Sequence, residues 1–339
     1  MGERLLDGDP PRRATLAQVA DQAGVSLKTA SRALGGESYV TDDTRNRVLT
    51  AAKELGYQRN AAASLLASGR LADSIGLIMG EFTNPFYSAI AQGIEDEVQG
   101  HGIHLSVANS RESADQEWRV ALDLADRQTK ALIVVSAMPE HSGYAQLQAR
   151  GVPVIFVDRP AEQLAAESVI FDNREGGRIA ARHLIDTGHS RIAMIGDYDW
   201  LPTHRERLAG LSDVLDDAGA RWRDLIRTDA HDAAQASAQT AELLRLPDPP
   251  TAIVAGNNRI VLGVVDELAG RSDVAVLSFD EFEWAQVLGV TVVSGSAVQL
   301  GREAARLALA RLADRGGAPA RTVLPMHLIA RTSTERATS

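Results

Sequence analysis

Asn84-Pro85-Phe86-Tyr87, Asn109-Ser110-Arg111, Asp158-Arg159-Pro160 and Phe279-Asp280-Glu281 each follow a short apolar run, and Asn257 follows another. Carboxylates and amides can accept from or donate to a pair of hydroxyls, and a ring such as Phe86 or Tyr87 packs on the apolar face of a sugar or base. Brought to one cleft, these groups would hold a small polar ligand. Taken singly they have plainer uses: Asn84 and Pro85 suit a loop-to-helix turn, Asp158 and Asp280 suit helix caps, and Phe86 or Tyr87 suit a core. Covalent chemistry finds less support. There is no phosphate-cradling glycine loop with lysine and serine, no glycine-flanked nucleophilic serine and no paired-histidine zinc helix. The eight histidines form no ligand-spaced cluster, and the absence of cysteine removes thiolate metal sites, disulfides and cysteine nucleophiles. The pattern points to binding rather than catalysis, with neither metal nor cofactor.

The elements that must position these groups are strands. Apolar pieces at Ile75 to Met79, Ile103 to Ala108, Ala131 to Val135, Val154 to Val157, Val169 to Phe171, Ile192 to Ile195, Ala252 to Ala255 and Val274 to Ser278 are separated mostly by stretches of helix length. Continuous apolar strands alternating with helices indicate parallel sheets covered on both faces, and the length is too great for one sheet. Two doubly wound α/β lobes are expected. Ligands of such sheets lie at the carboxyl ends of the strands, which is where the polar groups above fall.

The first 70 residues read differently. Thr15 caps a helix whose apolar positions Leu16, Val19, Ala20 and Ala23 share one face; Gly24 permits a tight turn, and Ser26 caps a second helix from Leu27 to about Leu34. Ala20 is small where two helices cross steeply. Burying Ala30, Ala33 and Leu34 leaves Leu27, Lys28 and Arg32 outward, flanked by Thr29 and Ser31, a set suited to base edges and phosphates. Short capped helix pairs also occur in proteins that never touch DNA. Thr41 caps a third helix, Asp42 to about Leu55, with Val48, Leu49, Ala52 and Leu55 on its inner face. After Gly56 and Tyr57-Gln58-Arg59-Asn60 comes a short alanine-rich stretch, Ala61 to Arg70, too short to hold as a helix unless it packs on something. DNA would serve.

Charge distribution agrees with this division. The net charge of −10 argues against a nucleic-acid partner until it is resolved along the chain: residues 12 to 70 carry nine basic and five acidic side chains, a balance of +4, and the remainder carries −14. A small basic module precedes a large acidic body. No apolar run approaches the ~18 to 20 residues of a membrane span. Met1 to Pro11 has no apolar stretch or small-residue cleavage site and reads as a floppy leader; the absence of cysteine fits a reducing compartment, and a cytoplasmic location is expected.

The runs TLAQVADQAGVSLKTASRAL and YVTDDTRNRVLTAAKELGYQRN, with the body behind them, strongly resemble the LacI/GalR (lactose-repressor/galactose-repressor) family of bacterial transcription regulators over nearly the whole chain. The resemblance implies an all-α helix-turn-helix headpiece and a body of the type I periplasmic-binding-protein fold. It implies base reading by Leu27, Lys28 and Arg32, with Thr15, Ser26, Thr29, Ser31, Tyr57 and Asn60 completing the DNA surface. It also implies a hinge helix whose Leu66 wedges into the minor groove, with Leu65 as a packing residue. In the body, Arg207 of the run Thr203-His204-Arg205-Glu206-Arg207-Leu208-Ala209-Gly210 matches the family's ligand arginine, Asp280 its ligand aspartate and Asn257 its ligand asparagine. The implied effector set is Phe86, Tyr87, Asn109, Arg111, Asp158, Thr203, Arg207, His231, Asn257 and Asp280, while Asp172 of FDNREGG serves the lobe connection. The chain departs from the family pattern at three places: Asn258 stands where aspartate is usual, Gly295 where glutamine is usual, and Leu27 where alanine, tyrosine or valine is common.

The expected organisation is a disordered leader (1–11), a helix-turn-helix domain (12–59), a hinge helix and linker (60–71) and an effector-binding and dimerisation body (72–339). Its amino-terminal lobe is expected at about 72–160 and 291–320, and its carboxy-terminal lobe at about 161–290 and 321–333. The implied function is a transcription regulator, a repressor, that reads a pseudo-palindromic operator as a symmetric homodimer and responds to a small polar effector, a sugar or sugar derivative. A solute-binding protein or an enzyme could use the same body, but the first would need an export signal and no basic headpiece.

Overall fold

The computed structural model describes residues 14–35, 39–57 and 73–335. The leader at 1–11, the hinge helix and linker at 60–71, Asn60 and Leu66 lie outside the described residues. The chain divides into two units, Met1–Leu71 and Ala72–Ser339.

In the first unit, α1 (Leu16–Ala23) begins at Thr15, whose hydroxyl accepts from the Gln18 amide while the Gln18 side chain accepts from the Thr15 amide, a reciprocal cap. Gly24, at φ 64°, ends it in the left-handed region. α2 (Leu27–Leu34) starts at Ser26, which accepts from the Thr29 amide, and α3 (Asp42–Glu54) starts at Thr41. Val19, Ala20, Ala23, Ala30, Ala33, Val48, Ala51 and Ala52 form the buried core, closed by Leu16, Val25, Leu34, Leu55 and Tyr57. Small side chains let three short helices approach closely. Leu49, expected on the inner face of α3, is instead 48% exposed, and Ala51 takes the inward position.

The second unit contains two six-stranded sheets. The first has the order β11-β5-β4-β3-β1-β2, entirely parallel, from β1 (Ser74–Met79), β2 (His104–Asn109), β3 (Leu132–Val134), β4 (Val154–Val157), β5 (Glu167–Phe171) and β11 (Arg321–Leu324). The second has the order β12-β10-β9-β8-β6-β7, from β6 (Ile192–Ile195), β7 (Ile226–Arg227), β8 (Ala252–Ala255), β9 (Ala275–Phe279), β10 (Thr291–Ser294) and β12 (His327–Ile329); only β12 is antiparallel. The central strands are buried along their whole length, save Ser74 at the start of β1, so both faces of each sheet are covered.

The lobe boundaries differ from the sequence expectation. β5 pairs with β4 and belongs to the amino-terminal lobe, β10 pairs with β9 in the carboxy-terminal lobe, and the stretch 321–333, expected wholly in the carboxy-terminal lobe, holds two strands, one per lobe. The chain crosses between lobes near 172, 295 and 325. Hydrophobicity identifies a buried strand but not its neighbour, and here pairing alone assigns the lobe.

Helices cover the sheets. They are α4 (Pro85–Val98), α5 (Ala114–Asp126), α6 (Ala145–Ala149), α7 (Asn173–Asp186), α8 (Pro202–Asp217), α9 (Ala233–Leu244), α10 (Ile260–Glu267), α11 (Glu283–Val287) and α12 (Ala297–Ala313); α4 packs with α12, and α7 with α8. The second pair is close enough that a Cβ at Gly177 would collide with the Arg207 carbonyl, and one at Gly210 with the Arg174 carbonyl. Those two glycines fix where Arg207 sits.

Candidate functional site

The carboxyl ends of the two sheets' strands face one another across a cleft lined from both lobes. From the amino-terminal lobe, Asn84 caps α4 by accepting from the Phe86 amide at 3.0 Å; Phe86 is half-buried and Tyr87 buried. Asp158 follows β4 at φ 70°, which turns the chain sharply and carries Arg159 into the interior. From the carboxy-terminal lobe, Asp197 follows β6; Thr203, His204 and Arg207 lie on α8; Asn257 and Asn258 follow β8; and Asp280 follows β9 at φ 67°. Both strand-end aspartates thus occupy the left-handed region, which carboxylates and amides tolerate better than most side chains.

Two buried guanidinium groups organise the lining. Arg159 donates to both oxygens of Glu112 at 2.7 and 3.1 Å, to the Tyr87 hydroxyl at 3.2 Å and to the Ser136 carbonyl at 2.5 Å. Burial opposes its charge, but Tyr87, Glu112 and Asp158 more than offset this and raise its pKa. Burial also works to raise Glu112, yet the adjacent Arg159 holds that carboxyl below its ordinary value. Arg207 donates to Asn173 at 2.8 Å, to the Gly256 carbonyl at 2.7 Å and to Asp280 at 3.1 Å, with its guanidinium 4.5 Å from the Phe279 ring centroid. Asp158 is pushed up to about 6 by burial, against the pull of Arg159 and Arg207.

A third cluster lies on the carboxy-terminal wall. His231 Nδ1 is 2.9 Å from Asp197, and Asn257 donates to the other Asp197 oxygen at 2.8 Å. The Asp197 hydrogen bond raises the His231 pKa, while His231 lowers Asp197 against the effect of its burial. The His231 ring continues a stack with Tyr198 and Trp200, at centroid separations of 4.7 and 6.2 Å. Across the cleft, Asn258 donates to Asn84 at 2.9 Å and Arg259 pairs with Glu81, so these side chains join the lobes directly.

Eight of the ten expected effector residues line this cleft: Phe86, Tyr87, Asp158, Thr203, Arg207, His231, Asn257 and Asp280. Asn109 and Arg111 do not. The Asn109 amide oxygen accepts from the Arg111 amide at 2.7 Å and is used up in the turn, and Arg111, at φ 54°, points to solvent. The next residue, Glu112, enters instead. Glu112, Arg159, Asp197, His204, Asn258 and Arg259 were not in the expected set. Asp197 and Arg159 carried a readable signal, since each falls just beyond an apolar strand. Glu112 carried none, because two further residues of turn separate it from β2. Asp172 caps α7, accepting from the Glu175 amide at 2.9 Å. A side chain at Gly295 would run into the Phe171 ring, which fills the space that a glutamine there would need.

On the first unit, Thr15, Ser26, Leu27, Lys28, Ser31 and Arg32 are exposed and Thr29 is partly so; all but Thr15 lie along α2 or at its start. Thr15 and Ser26 are occupied as helix caps. Tyr57 packs against the headpiece core and is only partly exposed. Among the described residues no group of three or more histidine, aspartate or glutamate side chains could hold a metal ion.

A family model described as periplasmic binding proteins and sugar binding domain of the LacI family matches residues 72–332, and one described as bacterial regulatory proteins of the lacI family matches residues 15–60. The chain belongs to the LacI family. It is 33% identical to the HTH-type transcriptional regulator CelR of Thermobifida fusca, over 95% of this chain and 98% of that one, and 28% identical to the ribose operon repressor of Bacillus subtilis, over 95% and 99%. A solved structure of the lac repressor dimer bound to operator and the anti-inducer ONPF superposes with a TM-score of 0.82 at 25% identity, covering 96% of this chain and all of that one. A CelR–cellobiose complex does so with a TM-score of 0.70 at 31% identity, covering 95% and 100%. This LacI-family chain is a DNA-binding transcription regulator under effector control, and not an enzyme.

Proposed function

We propose that the protein is a repressor that binds a pseudo-palindromic operator as a homodimer and takes an uncharged sugar in the cleft as its effector. The observation that carries the choice of effector is the charge ledger of the lining. Five carboxylates, Glu81, Glu112, Asp158, Asp197 and Asp280, stand against three guanidinium groups and the His231 imidazole, and each of these basic groups is already paired with a carboxylate. An anionic ligand such as a sugar phosphate would have to break one of those pairs and would face the remaining acids. A neutral polyol can accept from the guanidinium groups and donate to the carboxylates without displacing either. In this reading Arg207, Asp280, Asp158 and Asn257 hold hydroxyls, Thr203 adds a further hydroxyl contact, and Phe86, Tyr87 and His231 supply the apolar and aromatic walls.

Leu27, Lys28 and Arg32 read base edges in the major groove. Thr29, Ser31 and the amide-bearing starts of α1 and α2 at Thr15 and Ser26 contact phosphates, as does Tyr57 at the edge of the core. Asn60 and Leu66 complete the contact, Leu66 as the minor-groove wedge. Because the seam pairs Asn84 with Asn258 and Glu81 with Arg259 only when the lobes are together, a ligand that bridges the lobes shifts the balance between closed and open forms. Coupling to operator affinity of about 1–3 kcal/mol is typical of such switches. The regulator acts in the bacterial cytoplasm, where the operator is; no helix among the described residues is long and apolar enough to cross a membrane.

The test is a thermal-shift screen of the full chain with neutral sugars, sugar acids and sugar phosphates, followed by operator-binding titrations with any hit. The expected outcome is stabilisation by a neutral sugar that also changes operator affinity, with both responses lost in Arg207→Ala and Asp280→Ala. Stabilisation only by anionic sugars would overturn the assignment.

A further inference from the structure

The turn that carries Asn257 also carries two residues that reach the opposite lobe. Asn257 Oδ1 accepts from the amides of Arg259 and Ile260, both at 2.9 Å, which fixes the turn at the start of α10. From that turn Asn258, 4% exposed, donates to Asn84 Oδ1 at 2.9 Å, and Arg259 pairs with Glu81. Where these bonds lie follows from the sheet orders. The chain crosses between lobes at the ends of β5, β10 and β11, whereas Glu81 and Asn84 follow β1, three strands from β5, and Asn258 and Arg259 follow β8, two strands from β10. At ~4.8 Å per strand the bonds sit roughly 10–14 Å from the crossovers, on the side of the cleft away from them. The space they close off is about 50 Å3, against ~300 Å3 or more for an ordinary small-molecule site. A sugar enters only once these bonds part.

We infer that Asn258 and Arg259 form a latch that holds the lobes shut through protein contacts alone, and that its release at the Asn257 turn is what couples the effector to the lobes. This rests on the reading of the cleft as the effector site. Polarity makes Asn258 the deciding residue. Asn84 Oδ1 is committed as an acceptor, because it already takes the Phe86 amide at 3.0 Å, so the residue facing it must donate. Asparagine does so, and an ionised aspartate cannot. The latch is held by a small margin: the Arg259 and Glu81 side chains are 27% and 31% exposed, where an ion pair is weak, and Asn258 Oδ1 is buried without a hydrogen-bond partner among the described residues, a cost that water relieves on opening. A ligand group that engages Asn257 acts on the same turn and so needs little energy to release or reset its two neighbours.

The experiment compares Asn258→Asp with Asn84→Asp in the full chain with no sugar added. Both put one negative charge into the same seam, but the first sets an acceptor against an acceptor while the second keeps both acceptor roles of residue 84. Asn258→Asp should speed hydrogen–deuterium exchange in residues 81–87 and 256–260 by about tenfold or more and enlarge the radius of gyration in small-angle scattering, and Asn84→Asp should stay within about twofold of wild type in exchange. Exchange in the core of β1 and β8 should not change, which separates opening from unfolding. Arg259→Gln, which releases the other half of the latch, should move exchange in the same direction, so the result does not hang on one variant. Affinity for an operator selected from random duplex should change by about fivefold or more in Asn258→Asp and by less than about twofold in Asn84→Asp. Equal effects of the two aspartate variants on exchange, or no effect of Asn258→Asp, overturn the latch, and opening without a change in operator affinity overturns its regulatory role. These outcomes leave the choice of effector untouched, whereas a screen in which no sugar stabilises the chain overturns that choice and leaves the latch standing.

Discussion

Replacing Asp158 with asparagine should stabilise the unliganded protein while weakening its hold on the effector. Burial moves this carboxyl from its ordinary 3.8 up to about 6, so the folded protein holds the proton more tightly than the unfolded chain does. Stability is therefore lost as pH rises from about 4 to about 6, and the loss is complete at neutrality. A shift of roughly two units at 1.36 kcal/mol each amounts to about 3 kcal/mol. Asparagine removes the charge, keeps an acceptor oxygen and tolerates the left-handed backbone at φ 70°, while Arg159 retains both bonds to Glu112. Asp158→Asn should thus gain up to about 3 kcal/mol at pH 7, a rise in melting temperature of about 5 °C for a unit of this length, and only about 0.5 kcal/mol at pH 4. Scanning calorimetry of both proteins between pH 4 and 8 measures this directly. A gain that does not depend on pH, or a loss at pH 7, would refute the electrostatic account. Titration with an identified effector should show the opposite sign, a loss of about ten- to a hundredfold in affinity from replacing a charged acceptor by a neutral one.

Other outcomes follow from the same geometry. His231 is raised by its bond to Asp197, so the pair contributes fully below the ordinary histidine value near 6.5 and is lost as pH rises through the higher folded value. His231→Gln should therefore lower the melting temperature at pH 6 and converge on wild type toward pH 9; a constant difference across that range would count against the ion pair. Gly210→Ala forces α7 and α8 apart at the Arg174 carbonyl and should cost about 1–3 kcal/mol in denaturant unfolding while displacing Arg207; an unchanged midpoint would show that the helices can separate freely. Arg32→Ala should reduce discrimination between a selected operator and random duplex by about tenfold or more without altering body stability, as read by competition gel shift.

The alternation of strand and helix was legible because strands buried on both faces read as unbroken apolar runs, whatever they pair with. Their partition between lobes was not, since β5, β10 and β11 each carry two or three apolar residues beside polar ones, and that composition does not say which strand each meets. The cleft was partly legible for a related reason. Asp158, Asn257 and Asp280 end strands and so point where ligands bind, whereas Asn109 ends a strand yet spends its amide on its own turn. Glu112 reaches the same cleft only because the two residues 111 and 112 both adopt positive φ, which nothing in the local sequence demands. In the headpiece the caps at Thr15, Ser26 and Thr41 were all legible, because N-capping needs only local geometry. Leu49 was misplaced because apolarity alone does not tell an inner helix position from a neighbouring outer one.

The two units differ in how they can be inherited. The headpiece is one uninterrupted segment ending near Leu71, so a single recombination event there could hand its operator preference to another body, or give this body a new operator. Neither lobe offers such a junction. Each is assembled from separated stretches of chain that cross near 172, 295 and 325, and exchanging one lobe would require several coordinated breaks. Operator specificity can therefore change in one step by shuffling, while effector specificity must drift by single substitutions at strand ends such as Asp158, Asn257 and Asp280.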